Sequence, residues 1–511
     1  MLKVSFGADT PSGKGGVVVL TVAESQTLGP RGKDYDRKSQ GWLKRAIESA
    51  EFTGKKGETL VLPAPSGLGW QRLVLLGIGR PAVLDAMVAE SIGGTLTACL
   101  DATHVETASL VIDISDKAGL EAGVFSAHLA YGALLRSWSF DKYRTKRKPQ
   151  EGKKLAQLNV MTVQAPAAKR AFAPLIAVAE GVFMARGLVC EPPNVLGPQE
   201  LAQEALTLKK LGVDVEVLDE KALRKLGMGA LLGVGQGSVR PSSLVVMRWN
   251  GAKSTGGGKA AAKAARPIAL VGKGVCFDSG GLSLKPAESM MSMKYDMAGA
   301  AAVIGTMRAL ASRNAKVDVV GVTPLVENMP SGSAQRPDDV VTSLSGQTIE
   351  VLNTDAEGRL ILADALWYTK ERFKPRYMVN LATLTGAIVI SLGHDYAGLF
   401  SNSDMLSSQL IEAGREVEEK LWRMPLSPVG ESYDKEIDSD IADMKNIQTT
   451  RGAAGSVTAA QFLQRFVSDT PWAHLDVAGM VWSKKDMATC GKGATGYGVR
   501  LLNHWIMKNF E

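Results

Sequence analysis

The octapeptide Asn353-Thr354-Asp355-Ala356-Glu357-Gly358-Arg359-Leu360 packs two carboxylates and a guanidinium between a β-prone stretch, Thr348-Ile349-Glu350-Val351-Leu352, and a helical one, Leu360-Ile361-Leu362-Ala363-Asp364-Ala365-Leu366. That order predicts a strand-to-helix turn, which in an open parallel sheet is the edge where ligands bind. An isolated Asp-x-Glu here would most often be an ordinary acidic helix start favoured by the helix dipole. A second cluster weakens that explanation.

The second cluster runs Val271-Gly272-Lys273-Gly274-Val275-Cys276-Phe277-Asp278-Ser279-Gly280-Gly281, then Lys285-Pro286, then Met293-Lys294-Tyr295-Asp296. Ile268-Ala269-Leu270-Val271 before it is an unbroken apolar run, as expected of a strand buried on both faces, so Lys273 and Asp278 are expected to leave the end of a core strand. Gly280-Gly281 permits a tight reversal, and Ala298-Gly299-Ala300-Ala301-Ala302 after Asp296 begins a closely packed helix.

Asp278, Asp296, Asp355 and Glu357 would bring four negative charges together, and like charges at short range do not all stay ionised unless cations neutralise them. Two divalent cations would balance them. Metal pairs about 3.5–4 Å apart are a recurring hydrolytic device. Histidine is missing from both segments, so the ligands are mainly oxygen and ligand softness does not choose between zinc, manganese and magnesium. Lys273 can itself ligate beside two dications, whereas Lys285 and Arg359 remain cationic and leave positive charge for an anion such as the oxyanion of amide hydrolysis.

These segments resemble the metal-binding signatures of the leucyl aminopeptidases, cytosolic dinuclear metallo-exopeptidases; the octapeptide is that family's hallmark. The likeness continues through Cys190-Glu191-Pro192-Pro193-Asn194, Glu327-Asn328-Met329-Pro330-Ser331-Gly332, Asn380-Leu381-Ala382-Thr383-Leu384-Thr385-Gly386-Ala387 and Gly493-Ala494-Thr495-Gly496, with the first third only loosely similar. The resemblance implies that Asp278 and Glu357 bridge two ions, that Asp355 completes one site and that Lys273 and Asp296 complete the other. It implies that Lys285 stabilises the developing gem-diolate and that Arg359 holds a bicarbonate-like anion acting as general base. A substrate α-amine, with a reference pKa of about 7.7–8, would bind one metal once deprotonated, which explains removal of a single N-terminal residue. Met293, Thr383, Leu384, Gly386 and Ala478 match positions lining the substrate site, the last through His474-Leu475-Asp476-Val477-Ala478-Gly479, and an apolar pocket is consistent with Leu or Met. The family also implies a hexamer built as a dimer of trimers.

Composition agrees. A chain of 511 residues, 45% of them hydrophobic, exceeds one typical domain. The expected architecture is two α/β domains: a smaller one over 1–165, a boundary near Pro166-Ala167-Ala168-Lys169-Arg170 with a connecting helix over 166–190, and a catalytic domain over 191–511 with a central, mostly parallel sheet flanked by helices. In the first domain 16–20, 60–62, 72–77 and 110–114 read as strands, and 86–100 and 125–135 as helices. The segment 252–263, rich in Gly, Ala and Lys, has the composition of an exposed flexible loop. Four cysteines without a Cys-x-x-Cys pair argue for a reducing compartment, and the beginning of the chain supports neither a signal peptide nor a membrane span, so a cytoplasmic location is expected. The five histidines, His104, His128, His394, His474 and His504, have no zinc-motif spacing.

One feature points elsewhere. The net charge is +7, and Lys142-Tyr143-Arg144-Thr145-Lys146-Arg147-Lys148 is a basic run of the kind that attracts phosphate backbone, so an additional DNA-binding role is the alternative expectation.

Overall fold

Ile268–Gly272 forms the strand that its apolar run predicts, with all five residues buried at the centre of a sheet. In this computed structural model, which describes residues 1–8, 15–24, 28–114, 118–146, 152–252, 266–450 and 452–511, the strand pairs in parallel with Asp318–Asn328 on one side and Tyr377–Ala382 on the other. Trp472–Asp476 continues the parallel centre beyond Tyr377–Ala382. Both flanks then turn antiparallel: Ala397–Ser401 against Trp472–Asp476 at one, Ser243–Asn250 and Asp214–Leu218 at the other. The sheet is thus mixed, and parallel where it matters for the site.

Two helices cover the centre. Ala269 and Val271 share a buried cluster with Leu360, Ile361 and Leu362 of the helix Gly358–Phe373. Side chains alternate along a strand, so Leu270 and Gly272 face the opposite side. There Gly272 meets the helix Ala298–Ser312 so closely that a Cβ would lie 2.4 Å from the Gly299 carbonyl oxygen. The run of small residues at 298–302 therefore lets helix and strand backbones touch.

The chain divides into two units, Met1–Ala179 with Ser483–Gly493, and Glu180–Trp482 with Ala494–Glu511. Both are α/β. The first has a six-stranded sheet in the order Lys3–Gly7, Gln157–Met161, Thr107–Val111, Val17–Ala23, Arg72–Gly79, Thr59–Pro63, parallel except for the last pair. Helices Ala86–Ala102 and Ala122–Arg136 fall where expected. Arg136 donates through Nη1 to the carbonyls of Met487 and Cys490, both at 2.8 Å, which ties the distant segment Ser483–Gly493 into this unit.

Several expectations need correction. Thr348–Val351, the strand before the octapeptide, is not part of the large sheet; it joins Asp339–Thr342 and Met444–Lys445 in a small sheet of its own. The reason is visible in its burial, which reaches Ile349 and Val351 only, whereas a central strand must be apolar on both faces. Lys273 does not end its strand but interrupts it, and Gly274–Asp278 continues alongside the far part of Asp318–Asn328. Lys3–Gly7, Gln157–Met161, Pro30–Lys38 and Trp42–Ser49 were not anticipated. The connecting helix expected over 166–190 is Ala165–Cys190, with Pro166 in its first turn, where a proline is tolerated. An 18-residue stretch of that 26-residue helix has mean hydropathy 1.6, which makes it the one helix among the described residues long and apolar enough to cross a membrane. Interior packing explains its apolarity: Val182 and Ala185 are buried and Gly181 abuts the Gly305 carbonyl. The flexible-loop expectation for 252–263 falls almost wholly on 253–265, outside the described residues.

The helix Gly358–Phe373 is anchored by a buried acid. Asp364 accepts the amide protons of Leu231 at 2.8 Å and Leu344 at 2.7 Å, and burial pushes its carboxyl up to about 7. The unfolded value is about 3.9, so the native chain holds the extra proton between those limits and its stability falls as pH rises from about 4 to about 7, with a slope of at most about 1.4 kcal/mol per pH unit. The difference in unfolding free energy between wild type and Asp364→Asn, measured with urea from pH 4.5 to 8, is expected to shrink with rising pH and level off above about 7. A pH-independent difference would show that Asp364 does not carry that proton.

Candidate metal centre

The acidic residues come from chain segments far apart in sequence and meet beyond the carboxyl ends of the central strands. Lys273 sits between its two strand segments, pinned by its amide to the Leu381 carbonyl (3.0 Å) and by its carbonyl to the Ala300 amide (2.8 Å). Asp278 closes the second segment, Asp296 follows the short helix Met293–Tyr295, and Asp355 and Glu357 occupy the turn before Gly358–Phe373. One carboxylate oxygen from each of Asp278, Asp355 and Glu357 lies within 4.8 Å of the others.

Two lysines thread this acidic group. Lys273 Nζ lies 2.8 Å from Asp296 Oδ1 and 2.8 Å from Glu357 Oε1, and donates to the Thr383 carbonyl at 2.8 Å. Lys285 Nζ lies 2.8 Å from Asp278 Oδ2 and 2.5 Å from Asp355 Oδ1. Burial alone would lower both ammoniums, but the surrounding carboxylates outweigh it and hold both above the usual lysine range.

The four carboxylates still outnumber the two ammoniums. Burial, then Asp278, pushes Asp355 up to about 7, and burial with Glu357 and Asp278 holds Asp296 well above an ordinary aspartate. Asp296 Oδ2 is buried without a hydrogen-bond partner. Excess negative charge, hard oxygen donors and an orphaned carboxylate oxygen together fit divalent cations.

Neighbouring residues fix the carboxylates. Asn328 donates through Nδ2 to Asp278 Oδ1 at 2.8 Å and to the Thr354 carbonyl at 3.0 Å, and the Gly280 amide donates to the same Asp278 oxygen at 2.9 Å. Gly280 has φ +88°, and a Cβ there would lie 2.9 Å from Asp355 Oδ1. Thr383 Oγ1 donates to Asp296 Oδ1 at 2.7 Å. Asn446 clasps the octapeptide, accepting the Leu352 amide at 2.9 Å and donating to the Asn353 carbonyl at 2.7 Å. Residue-by-residue reading missed the roles of Asn328, Thr354 and Asn446, because an asparagine or threonine at a strand end or in a loop gives no periodic signal. Their side chains acquire meaning only from what the fold brings beside them.

Arg359 lies in the first turn of the helix and is buried, with Nε and Nη1 lacking any hydrogen-bond partner. Burial pushes its guanidinium down to about 10, opposed by the charges of Glu357 and Asp476. Of the expected substrate-lining residues, Thr383 touches Asp296, and the Met293 carbonyl accepts the Asp296 amide at 3.2 Å. Leu384 and Ala478, far apart in sequence, are both half-buried, and their amides both donate to Asp476 Oδ1. Gly386 is exposed at the start of the helix Gly386–Leu392. His474 is buried between Phe400 and Trp472 and pushed down to about 3 by burial, a packing histidine. Cys276 is likewise pushed up by burial, and all four cysteines are free. Of the basic run, Lys142 to Lys146 are described and exposed, with Lys142 over the Tyr143 ring; Arg147 and Lys148 lie outside the described residues.

Known proteins resemble this chain over almost its whole length. The profile of the cytosol aminopeptidase family, catalytic domain, matches residues 183–503, and that of the same family's N-terminal domain matches residues 18–147. A probable cytosol aminopeptidase of Caulobacter vibrioides is 50% identical over 98% of this chain and 98% of its own. Another from Chelativorans sp. is 52% identical over 98% and 97%. Among solved structures, a mutant of tomato leucine aminopeptidase superposes with a TM-score of 0.85 at 33% identity, covering 100% of this chain and 97% of that one. The bottromycin maturation enzyme BotP in complex with Mn gives 0.81 at 30% identity, covering 97% and 99%.

Gly358 is where the octapeptide must make room for the other cluster, since a Cβ there would lie 2.6 Å from Lys273 Cε and 2.8 Å from its Nζ. Gly358→Ala is expected to displace Lys273 and weaken binding of Mn2+ by roughly 10–100-fold, the usual cost of disturbing the support of a metal site. Calorimetric titration of Mn2+ into metal-free protein measures this, and wild-type affinity in the variant would show that Lys273 need not stand where it does.

Proposed function

We propose, from the premise that this chain belongs to the cytosol aminopeptidase family and is a peptidase, that it removes single apolar residues such as Leu or Met from the free N-termini of peptides. The observation that carries the proposal is the convergence of Asp278, Asp355 and Glu357 within 4.8 Å from separate segments, with Lys285 between Asp278 and Asp355. Asp278, Asp296, Asp355 and Glu357, with Lys273 as a neutral amine once adjacent dications displace its proton, would hold two divalent cations, Mn2+ or Zn2+ with Mg2+ as a further choice. Bound there, they would polarise the peptide carbonyl and acidify water.

The chain's own residues supply the rest. Lys285 remains an ammonium at neutral pH and is less deeply buried than Lys273, so it can reach an oxyanion developing at the mouth of the cluster. Arg359 carries a buried positive charge with two unpaired N–H directions, which suits a bicarbonate-like anion. Met293, Thr383, Leu384, Gly386 and Ala478 would line the pocket for the departing residue. Asp278, held by Asn328 and the Gly280 amide, keeps its orientation whatever the second oxygen binds. Exposure of Lys142 to Lys146 is all that favours nucleic acid, and a solvated loop requires the same. A reducing, cytoplasmic setting suits four free cysteines.

A panel of aminoacyl amides, assayed with apo enzyme reconstituted with each metal, is expected to show turnover of the leucyl and methionyl amides and none of their N-acetylated forms. Cleavage of the acetylated substrates would sink the exopeptidase reading. Lys285→Ala is expected to retain metal by elemental analysis and to lose roughly 10²–10³ in kcat; wild-type turnover would remove its role. The hexameric state proposed from the family resemblance is expected in sedimentation velocity at micromolar concentration, and a lone monomer would count against it.

A further inference from the structure

Asp476 ends the central strand Trp472–Asp476, is fully buried, and takes no part in the chemistry above. Its contacts all lead to the loop behind the metal centre. Oδ2 accepts the Thr385 hydroxyl proton at 2.7 Å, and Oδ1 accepts the Leu384 amide at 3.1 Å and the Ala478 amide at 3.4 Å. Thr385 passes the constraint on, for its Oγ1 accepts the Ile388 amide at 3.1 Å and so caps the helix Gly386–Leu392. Two residues earlier, Thr383 holds the cluster itself: its carbonyl accepts from Lys273 and its hydroxyl donates to Asp296.

We infer that Asp476 is a positioning residue for the hydrolytic reaction: it ties the Thr383–Gly386 loop and the Ala478 turn to the end of the sheet. The effect is mechanical. In Asp476→Asn an NH2 group replaces the oxygen that accepts from the Thr385 hydroxyl, which leaves that hydroxyl without its acceptor in a buried place, so the loop shifts and takes the partners of Lys273 and Asp296 with it.

This inference rests on the aminopeptidase reading, and its test separates the two. With metal saturating, kcat and KM for leucine amide are measured for wild type, Asp476→Asn, Thr385→Val and Thr385→Ser. Asp476→Asn and Thr385→Val are expected to lower kcat by about 10–100-fold, as loss of supporting hydrogen bonds does at metal sites, and Thr385→Ser to restore it to within about threefold of wild type. An inactive wild-type enzyme would overturn the aminopeptidase reading. An active wild type with unchanged kcat in both Asp476→Asn and Thr385→Val would overturn the positioning role alone, as would failure of Thr385→Ser to rescue.

Discussion

Everything in the catalytic unit is arranged around an imbalance of charge: four buried or half-buried carboxylates, Asp278, Asp296, Asp355 and Glu357, face two ammoniums, Lys273 and Lys285. Such a group would repel itself apart in an unsupported loop. Here each carboxylate is held from outside, Asp278 by Asn328 and the Gly280 amide, Asp296 by Thr383, Asp355 by Lys285 and Glu357 by Lys273. The supports are in turn fixed to the sheet or to helix starts. The fold maintains an electrostatically unfavourable arrangement because neighbouring packing leaves it no room to relax.

That rigidity begins in the sheet. Lys273 is placed by a strand buried on both faces, and its two backbone bonds to Leu381 and Ala300 connect it to the next strand and to the overlying helix. The glycines at 272, 299 and 358 are where backbone, helix and lysine approach within distances that no Cβ would allow. Small residues in this region therefore bear on chemistry as much as on packing. The parallel centre of the sheet brings Lys273, Thr383 and Asp476 to one edge from three adjacent strands, which is why residues about a hundred or more positions apart can share one set of contacts.

Much of this was legible beforehand. The apolar run at 268–271, the small-residue helix after Asp296 and the helix after the octapeptide all stand where patterning put them. The small sheet containing Thr348–Val351 was not legible, since four residues of mixed polarity read alike in any sheet. Nor was the recruitment of Ser483–Gly493 into the first unit, which depends on Arg136 reaching carbonyls more than three hundred residues away in sequence.

Residue chemistry alone determined the class of site: several aspartates and a glutamate with two lysines and no nearby histidine are suited to hard cations at whatever exact distances they meet. Tertiary structure decided which groups pair. That Lys273 lies between Asp296 and Glu357 while Lys285 lies between Asp278 and Asp355, and that Asp476 secures the loop supporting both Lys273 and Asp296, follows from strand register and backbone approach. A sequence specifies charges and periodicities locally, but the spacing of charges across a sheet edge is set only when distant strands are aligned.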